Sequence, residues 1–206
     1  MTKEVLPRGV RRGECLTNRL SACHTRRYNG FTIIELIVVV GVIIILTGLI
    51  LSTVGYARKK GALARAETEI AAMSAACESY KADNGVYPSN SDTQTLDPTN
   101  EFDPTLSPPN DYTRASLLLY EQLSGDVSAN RQPTGKSYMA FKPNMLLPAP
   151  PSTANVIAIA DPFGNSYGYS TKMATTRSGG YNPTFDLWST GGGTTANDVS
   201  KWIKNW

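Results

Sequence analysis

Glu35 is a carboxylate in an otherwise apolar run. The 22 residues from Leu36 to Ala57 that follow it carry no charge and are mostly Leu, Ile, Val, Gly and Thr. A carboxylate at the centre of a lone membrane helix costs about 2.5 to 3.5 kcal/mol, so an acid near the start of such a helix requires a cationic partner or the membrane interface. Either charge pairing or interaction with the positive end of the helix dipole would satisfy Glu35.

Histidine and cysteine are scarce, which excludes several kinds of catalytic site. His24, the single histidine, lies with Cys15 and Cys23 in the first 30 residues, and Cys77 alone remains in the body. A body without histidine has no Ser–His or Cys–His nucleophile and no imidazole metal site. No segment resembles a phosphate-binding loop or a nucleophile elbow. We therefore expect that any metal would need oxygen ligands. Cys77 lies on the apolar stripe of a predicted helix, so we predict that it is a small core residue.

The apolar run predicts a transmembrane helix. At about 1.5 Å per residue, 22 residues span roughly 33 Å, which exceeds the ~30 Å hydrocarbon layer of a bilayer. A cleavable signal is the alternative, because Gly55-Tyr56-Ala57 has the small-x-small pattern that signal peptidase accepts. Its apolar core would be much longer than the ~7 to 15 residues usual for such signals, so we favour a membrane anchor.

Charge is distributed unevenly along the chain. The first 30 residues hold seven basic and two acidic side chains, whereas the rest hold 13 basic and 15 acidic ones. By the positive-inside rule, the basic leader favours a cytoplasmic N-terminus and places the body across the membrane. The run Arg58-Lys59-Lys60 on the far side opposes this orientation. The mildly acidic body offers no basic face for nucleic acid.

An amphipathic pattern begins after the apolar run. Apolar residues recur every three or four positions, and charged residues lie off that stripe. We therefore predict one helix from about Phe31 to Ala82 whose second half has a buried face. Asp83-Asn84-Gly85 would end it. The predicted stripe consists of Leu63, Ala66, Ile70, Met73, Cys77 and Tyr80.

The rest of the chain predicts an irregular connection, a short helix and a sheet. Residues 83–111 are rich in Pro, Asn, Asp and Ser, which is typical of loops. Asp111 or Thr113 could cap a helix through Leu123, with Gly125 as its stop. The fold class is therefore α+β, with a small, mainly antiparallel sheet covering the amphipathic helix. The predicted strands are Tyr138–Lys142, Asn155–Ala160, Ser166–Thr171 and Thr184–Ser189.

The residues around Glu35 resemble a known processing site. The string GFTIIEL at residues 30–36, with a basic leader before it and an apolar helix after it, is similar to the N-terminal motif of type IV pilins and type II secretion pseudopilins. The resemblance implies that a prepilin peptidase cuts between Gly30 and Phe31 and that the new Phe31 amine is N-methylated. It also implies that Glu35 pairs with the N-terminal amine of a neighbouring subunit during assembly.

A second resemblance lies near the C-terminus. Residues 161–169, DPFGNSYGY, resemble the D-P-[WF]-G-N-x-Y-x-Y element of the major, G-type pseudopilins, and residues 185–192, FDLWSTGG, resemble the strand ending in Ser-x-Gly that follows it in that family. The first segment also has the composition of a turn that leads into an aromatic strand. The resemblance implies a type IV pilin-like fold, in which a long N-terminal helix packs on a small sheet. The turn residues that carry it are Asp161, Pro162, Gly164 and Asn165.

The loop after that strand commonly binds calcium in G-type pseudopilins. Calcium takes six to eight oxygen ligands, and acidic residues dominate its affinity. Here the first expected acid falls at Gly192 and Gly193, whereas Asp198 matches the later one. We favour a metal-free glycine-rich turn and keep a Ca²⁺ site at Asp198 as the alternative.

The domain organisation follows from these segments. Residues 1–30 would be a basic leader that is removed, 31–57 the transmembrane and polymerisation helix, and 58–206 a periplasmic pilin-like domain. Within that domain, we expect the amphipathic helix at 58–82, a variable region with a short helix at 83–137, and the sheet with its C-terminal loop at 138–206.

The resemblance implies a structural role for the chain, and on this basis we predict that it is not an enzyme. We expect a major pseudopilin that waits as a single-pass inner-membrane protein, with its N-terminus cytoplasmic. It would polymerise into the periplasmic pseudopilus of a type II secretion system and support protein export across the outer membrane. The implied partners are other copies of the chain, minor pseudopilins, the prepilin peptidase, and an inner-membrane assembly platform with a cytoplasmic ATPase.

Two alternative functions stay open at the level of sequence. A type IV pilin of an adhesion or motility filament shares the N-terminal motif, but such pilins often have a C-terminal disulfide loop, which Cys77 alone cannot form. A membrane-anchored binding or hydrolytic domain is the other alternative. Trp188, Trp202 and Trp206 would then serve as surface aromatics for a ligand, although aromatic residues near strand ends are more often packing residues.

Overall fold

The computed structural model describes residues 30–206, except for the side chain of Ser52. The predicted leader, apart from Gly30, lies outside the described residues, as do Cys15, Cys23 and His24. The described chain is α+β, as predicted, with one long N-terminal helix and short antiparallel strands. It divides into two compact units between Thr47 and Gly48.

The helices begin with α1, which spans Ile33–Asn84. This confirms one helix through the apolar run and the amphipathic segment, with Gly85 in the left-handed conformation (φ 79°) directly after its end. A left-handed residue after a helix is strongly biased towards glycine. The other described helices are α2 (Ser91–Thr95), α3 (Asp111–Ser124), α4 (Lys172–Thr176) and two 3₁₀ helices, Pro143–Met145 and Ala196–Lys201.

The strands form two small antiparallel sheets. One contains β1 (Leu146–Leu147) and β2 (Ala158–Ile159). The other has the order β3-β4-β5, in which β4 (Asp186–Ser189) lies between β3 (Gly168–Ser170) and β5 (Ile203–Lys204). In this sheet Trp188 lies opposite Gly168. Its indole occupies the space that a Cβ at position 168 would need, so this register requires glycine there.

The predicted stripe of α1 faces the core of the unit that contains the sheets. Ala66, Ile70, Met73 and Cys77 are between 0% and 4% exposed, and Leu63 and Tyr80 pack partly buried against the same cluster. Burial raises the pKa of the Cys77 thiol to about 12. This placement confirms Cys77 as a core residue, because a protonated, buried thiol is inert.

The short helix α3 is confirmed, although neither predicted residue caps it. Asn110 is the N-cap: its side chain accepts from the Thr113 N–H at 2.8 Å, and the Thr113 hydroxyl reciprocates by accepting from the Asn110 N–H at 2.9 Å. This reciprocal pair has the geometry of a capping box. Gly125, with φ of 75°, ends the helix as expected.

One predicted strand is wrong. Residues Tyr138–Lys142 do not form a strand, because the N–H groups of Tyr138 and Met139 both donate to the carbonyl of Leu123 at the end of α3. These groups cap helical carbonyls and are unavailable for a sheet ladder. The other three predicted strands contain β2, β3 and β4, each shorter than predicted.

Candidate functional site

The first half of α1 exposes its apolar side chains. From Phe31 to Tyr56, every large apolar side chain except half-buried Val54 is between 46% and 85% exposed. Among the described residues, α1 is the helix with the length and composition to cross a membrane. An apolar surface of this extent, on every side of a helix, is typical of a segment surrounded by lipid or by other apolar helices.

Glu35 is held at the start of this helix by Thr32. The Thr32 N–H and hydroxyl both donate to Glu35 Oε2 at 2.9 Å, and the Glu35 N–H donates back to Thr32 Oγ1 at 3.3 Å. This is a capping box, which satisfies backbone donors that the first helical turn leaves free. The described residues make no hydrogen bond to the second carboxylate oxygen, Oε1.

Sequence reasoning missed Thr32, although a signal was present. The pattern Thr-x-x-Glu before an apolar run is the signature of a capping box, and residues 32–35 have it. Gly30 and Phe31 lie directly before the helix, and both are exposed. Among the described residues, nothing lies within 4 Å of a Cβ built on Gly30.

The turn at Asp161 is built around a buried carboxylate. Its Oδ1 accepts from the N–H groups of Phe163 and Asn165, both at 2.9 Å, and the Asp161 N–H donates to the Asn165 carbonyl at 2.8 Å. Gly164 has φ of 90°, a conformation that residues with a side chain rarely adopt. Burial raises the pKa of Asp161, even though four hydrogen bonds oppose the rise.

The two C-terminal motifs contact each other. Ser189, the last residue of β4, donates its hydroxyl to Asp161 Oδ2 at 2.5 Å, and its Oγ accepts from the Gly191 N–H at 3.1 Å. Ser189 therefore links the Asp161 turn to the glycine turn that follows β4. The sequence placed both motifs in order but could not show that they share a hydrogen bond.

The three tryptophans pack inside the described domain. Trp188 is fully buried and stacks on Trp202 with ring centroids 5.7 Å apart, and Trp206 packs edge-on against Trp188 at 5.9 Å. The Trp188 indole N–H donates to the Tyr112 hydroxyl at 3.2 Å. The idea of exposed tryptophans forming a ligand surface is therefore wrong for Trp188 and Trp202, which are 0% and 6% exposed.

Asp198 lies in the turn where the family resemblance implies calcium. Its Oδ1 accepts from Lys201 Nζ and its Oδ2 from the Thr195 hydroxyl, both at 2.7 Å. These contacts lower the pKa of Asp198 to about 2. A side chain at Gly193 would overlap the Asp198 side chain, so this turn conformation has no room for a second acid there.

This donor set does not fit calcium. Asp198 is the one acidic residue between Thr190 and Lys201, and a lysine ammonium already occupies its carboxylate. Calcium takes six to eight oxygens and depends on several carboxylates. Within residues 30–206, no three His, Cys, Asp or Glu side chains are grouped closely enough to hold a metal ion.

Comparisons with known proteins returned no match: no family model, no curated protein and no solved structure is similar to the chain. The assignment of function therefore depends on the residues and their geometry.

Proposed function

We propose that this chain is a major pseudopilin, a subunit that polymerises into the periplasmic pseudopilus of a type II secretion system and supports protein export. The prepilin peptidase removes the leader after Gly30, and Phe31 becomes the N-methylated first residue. The mature chain rests in the inner membrane through the apolar half of α1, with its N-terminus cytoplasmic and its C-terminal domain periplasmic, until assembly. An assembly platform with its cytoplasmic ATPase, and minor pseudopilins, complete the set of proposed partners.

The observation that carries this proposal is the state of Glu35. Thr32 occupies one carboxylate oxygen and fixes its orientation, while Oε1 accepts no hydrogen bond from the described residues. A cation stabilises a carboxylate in lipid, and the Phe31 amine of a neighbouring copy would supply one. Assembly would also transfer exposed apolar side chains of α1 from lipid to helix contacts.

The presence of glycine at position 30 is a second observation that supports the proposal. Its backbone does not adopt a conformation reserved for glycine, and the described residues leave open space around it. Folding of the described chain therefore gives no reason for glycine at this position. A peptidase that accepts only a small residue before the cleaved bond would explain the glycine.

The C-terminal half supports a pseudopilin over a type IV pilin. The Asp161 turn and the Ser189 strand, which carry the resemblance to the G-type family, form one hydrogen-bonded unit. Cys77 is buried and free, so it does not contribute to a C-terminal disulfide loop. Pilin-like packing of α1 on the sheet agrees with the burial of Met73 and Cys77.

Substitution of Glu35 tests the proposal. In cells that express the secretion machinery, Glu35→Gln should still insert and be trimmed but form no filaments, because the neutral side chain cannot pair with an amine. The matched control is Glu67→Gln, which neutralises an exposed carboxylate in the second half of α1. Filaments are counted by electron microscopy and membrane insertion by resistance to alkaline extraction.

Intact mass and N-terminal sequencing of the protein from membranes complete the test. A methylated Phe31 start is expected. Filaments formed by Glu35→Gln at the level of the unaltered chain would overturn the proposal. A mature chain that starts at Arg58 would instead identify a secreted protein with a cleaved signal.

A further inference from the structure

The region between α3 and β2 contains a partly open cavity that has no part in the proposed function. Its volume is about 570 Å³, within the usual range for small-ligand sites. One wall is the end of α3 with the loop after it, and another is the proline-rich segment 150–153. Between them lies a wall formed by Ser137, Met139, Ala140, Phe141, Pro143 and Leu146. This cavity lies in the part of the chain that matches the family least.

Arg131 is the one charged side chain among the residues that line this cavity. Its Nε donates to the Ala154 carbonyl at 3.0 Å and its Nη2 to the Pro148 carbonyl at 2.7 Å. Because a guanidinium carries five N–H donors, three are left. No carboxylate of residues 30–206 forms an ion pair with Arg131. The cavity therefore holds a positive charge that the protein does not neutralise by contact.

A buried carboxylate fixes the loop that presents Arg131. Asp126 is fully buried and accepts from the N–H groups of Asn130 at 3.2 Å and Arg131 at 2.6 Å, and from the Tyr120 hydroxyl at 2.9 Å. Both Ala129 and Arg131 have positive φ, 51° and 68°, which is unfavourable for residues with a Cβ. Such a backbone persists where the surroundings hold it, and it occurs often at ligand sites.

The remaining lining is apolar, with prolines, aliphatic side chains and two aromatic rings, and it includes neutral polar groups. Phe141 and Tyr120 form an aromatic wall with ring centroids 5.4 Å apart. Asn130, Gln132 and Ser137 add amide and hydroxyl groups. A cation beside an apolar wall suits a molecule in which a carboxylate is attached to an apolar or aromatic group.

We propose that this cavity binds a peptide carboxylate. The Arg131 guanidinium accepts the carboxylate in a bidentate contact, as arginine does with planar anions. The neighbouring apolar side chain of the peptide packs on Phe141 and Tyr120, and the amides of Asn130 and Gln132 bond its backbone. The proposal does not depend on filament assembly, because a protein that never polymerises would keep the cavity.

A fluorinated amino acid tests this site in the full chain in a neutral detergent. The probe is N-acetyl-4-fluorophenylalanine, and its carboxamide is the uncharged match. Binding is measured by fluorine NMR line broadening on titration with protein. We expect the carboxylate to bind at least about tenfold more tightly than the carboxamide, since a charge-assisted bidentate contact is lost with the amide.

Three variants locate the binding. Arg131→Gln should reduce the affinity for the carboxylate to that for the carboxamide, whereas Lys142→Gln, which removes an exposed neighbouring charge outside the cavity, should leave it unchanged. Ala140→Trp should block both probes by filling the cavity while Arg131 stays in place. This third variant keeps the test valid if loss of Arg131 disturbs its loop.

Three outcomes would overturn the proposal. The first is equal binding of carboxylate and carboxamide. The second is carboxylate binding that survives both Arg131→Gln and Ala140→Trp. The third is competition by acetate at the same concentration as the probe, which would mean that the cavity attracts any small anion and does not recognise the attached side chain.

Discussion

The two halves of α1 share a helical backbone and differ in what surrounds their side chains. In the first half, Ile37 and Ile44 are 60% and 66% exposed, although neither residue is charged or polar. In the second half, Ile70 and Met73 are 4% and 0% exposed because the domain that contains the sheets covers them. The described residues cover the second half and leave the first half exposed.

This difference separates two sources of helix stability. The second half is stabilised within one molecule by burial of its stripe, which is non-directional and proportional to area. The first half has a local stabilising contact, the Thr32–Glu35 capping box, and its apolar surface is typical of a helix in an apolar environment. Variants that act on one half and spare the other can test this contrast.

The largest expected effect is in the buried stripe. Met73→Ala should lower the free energy of unfolding of the domain by about 2 to 5 kcal/mol, the range for a fully buried large side chain replaced by alanine. Ile44→Ala, in the exposed half, should leave that value unchanged. Urea unfolding of the full chain in detergent, followed by tryptophan fluorescence, measures both. Equal losses for the two variants would contradict the contrast between the halves.

The next effect concerns the bond that ties α1 to the sheet region. The Tyr167 hydroxyl donates to Glu69 Oε2 at 2.7 Å, and Arg65 Nε bonds Oε1 of the same carboxylate at 2.6 Å. Tyr167→Phe should cost about 1.5 to 3 kcal/mol, because a bond to a charged acceptor is lost in a mostly buried place.

Tyr181→Phe is the control for that change, since Tyr181 is 44% exposed and its ring stacks on Trp206. The same urea unfolding experiment applies. If the two tyrosine variants lost equal stability, the Tyr167–Glu69 bond would have no special part in holding α1.

A smaller effect is expected at the start of the exposed half. Thr32→Ala removes the cap and should cost about 1 kcal/mol of local helix stability. The measurement is amide hydrogen exchange of residues 33–36 in detergent micelles. Thr53→Ala, which removes a hydroxyl bonded to the Ile50 carbonyl inside the same helix, should leave that exchange unchanged. Unaltered exchange in Thr32→Ala would show that the capping box does not stabilise the first turn.

The smallest effect is expected for calcium. Neither millimolar Ca²⁺ nor a chelator should shift the melting temperature by more than about 1 °C, whereas a ligand at 100 times its Kd would add about 2.7 kcal/mol of stability. Lys201→Gln should lower the melting temperature slightly, and Lys59→Gln, an exposed lysine in α1, should not. A rise of several degrees with Ca²⁺ would restore the metal site at Asp198.

The contribution of the Asp198–Lys201 ion pair to folding stability should depend on pH in a defined direction. The pKa of Asp198 in the folded chain, about 2, lies below the ordinary value of 3.8. The carboxylate therefore stabilises the fold fully above about pH 4, and its contribution is lost as the pH falls towards 2. Asp161 has the opposite effect on the pH dependence of stability. Burial raises the pKa of Asp161, so the fold disfavours its ionised form.

Local signals in the sequence were sufficient for α1 and α3, although they did not predict α2, α4 or the two 3₁₀ helices. The three-and-four spacing of Ile70, Met73 and Cys77 predicted the buried face of α1, and Gly125 predicted the end of α3. These signals work because helix hydrogen bonds and caps join residues close in the chain. The Tyr138–Lys142 strand was wrong because its apolar, aromatic composition suits a strand, whereas its N–H groups bond a distant helix end.

The sequence by itself determined the apolar run, the carboxylate at its start and the order of the two C-terminal motifs. Only the tertiary structure decided that Ser189 bonds Asp161, that Tyr167 bonds Glu69, and that Arg131 lies in a cavity where no acid of residues 30–206 pairs with it. The reason is physical. Contacts between neighbours in sequence follow from helix geometry, whereas contacts between distant residues depend on how separate segments pack, which spacing along the chain does not encode.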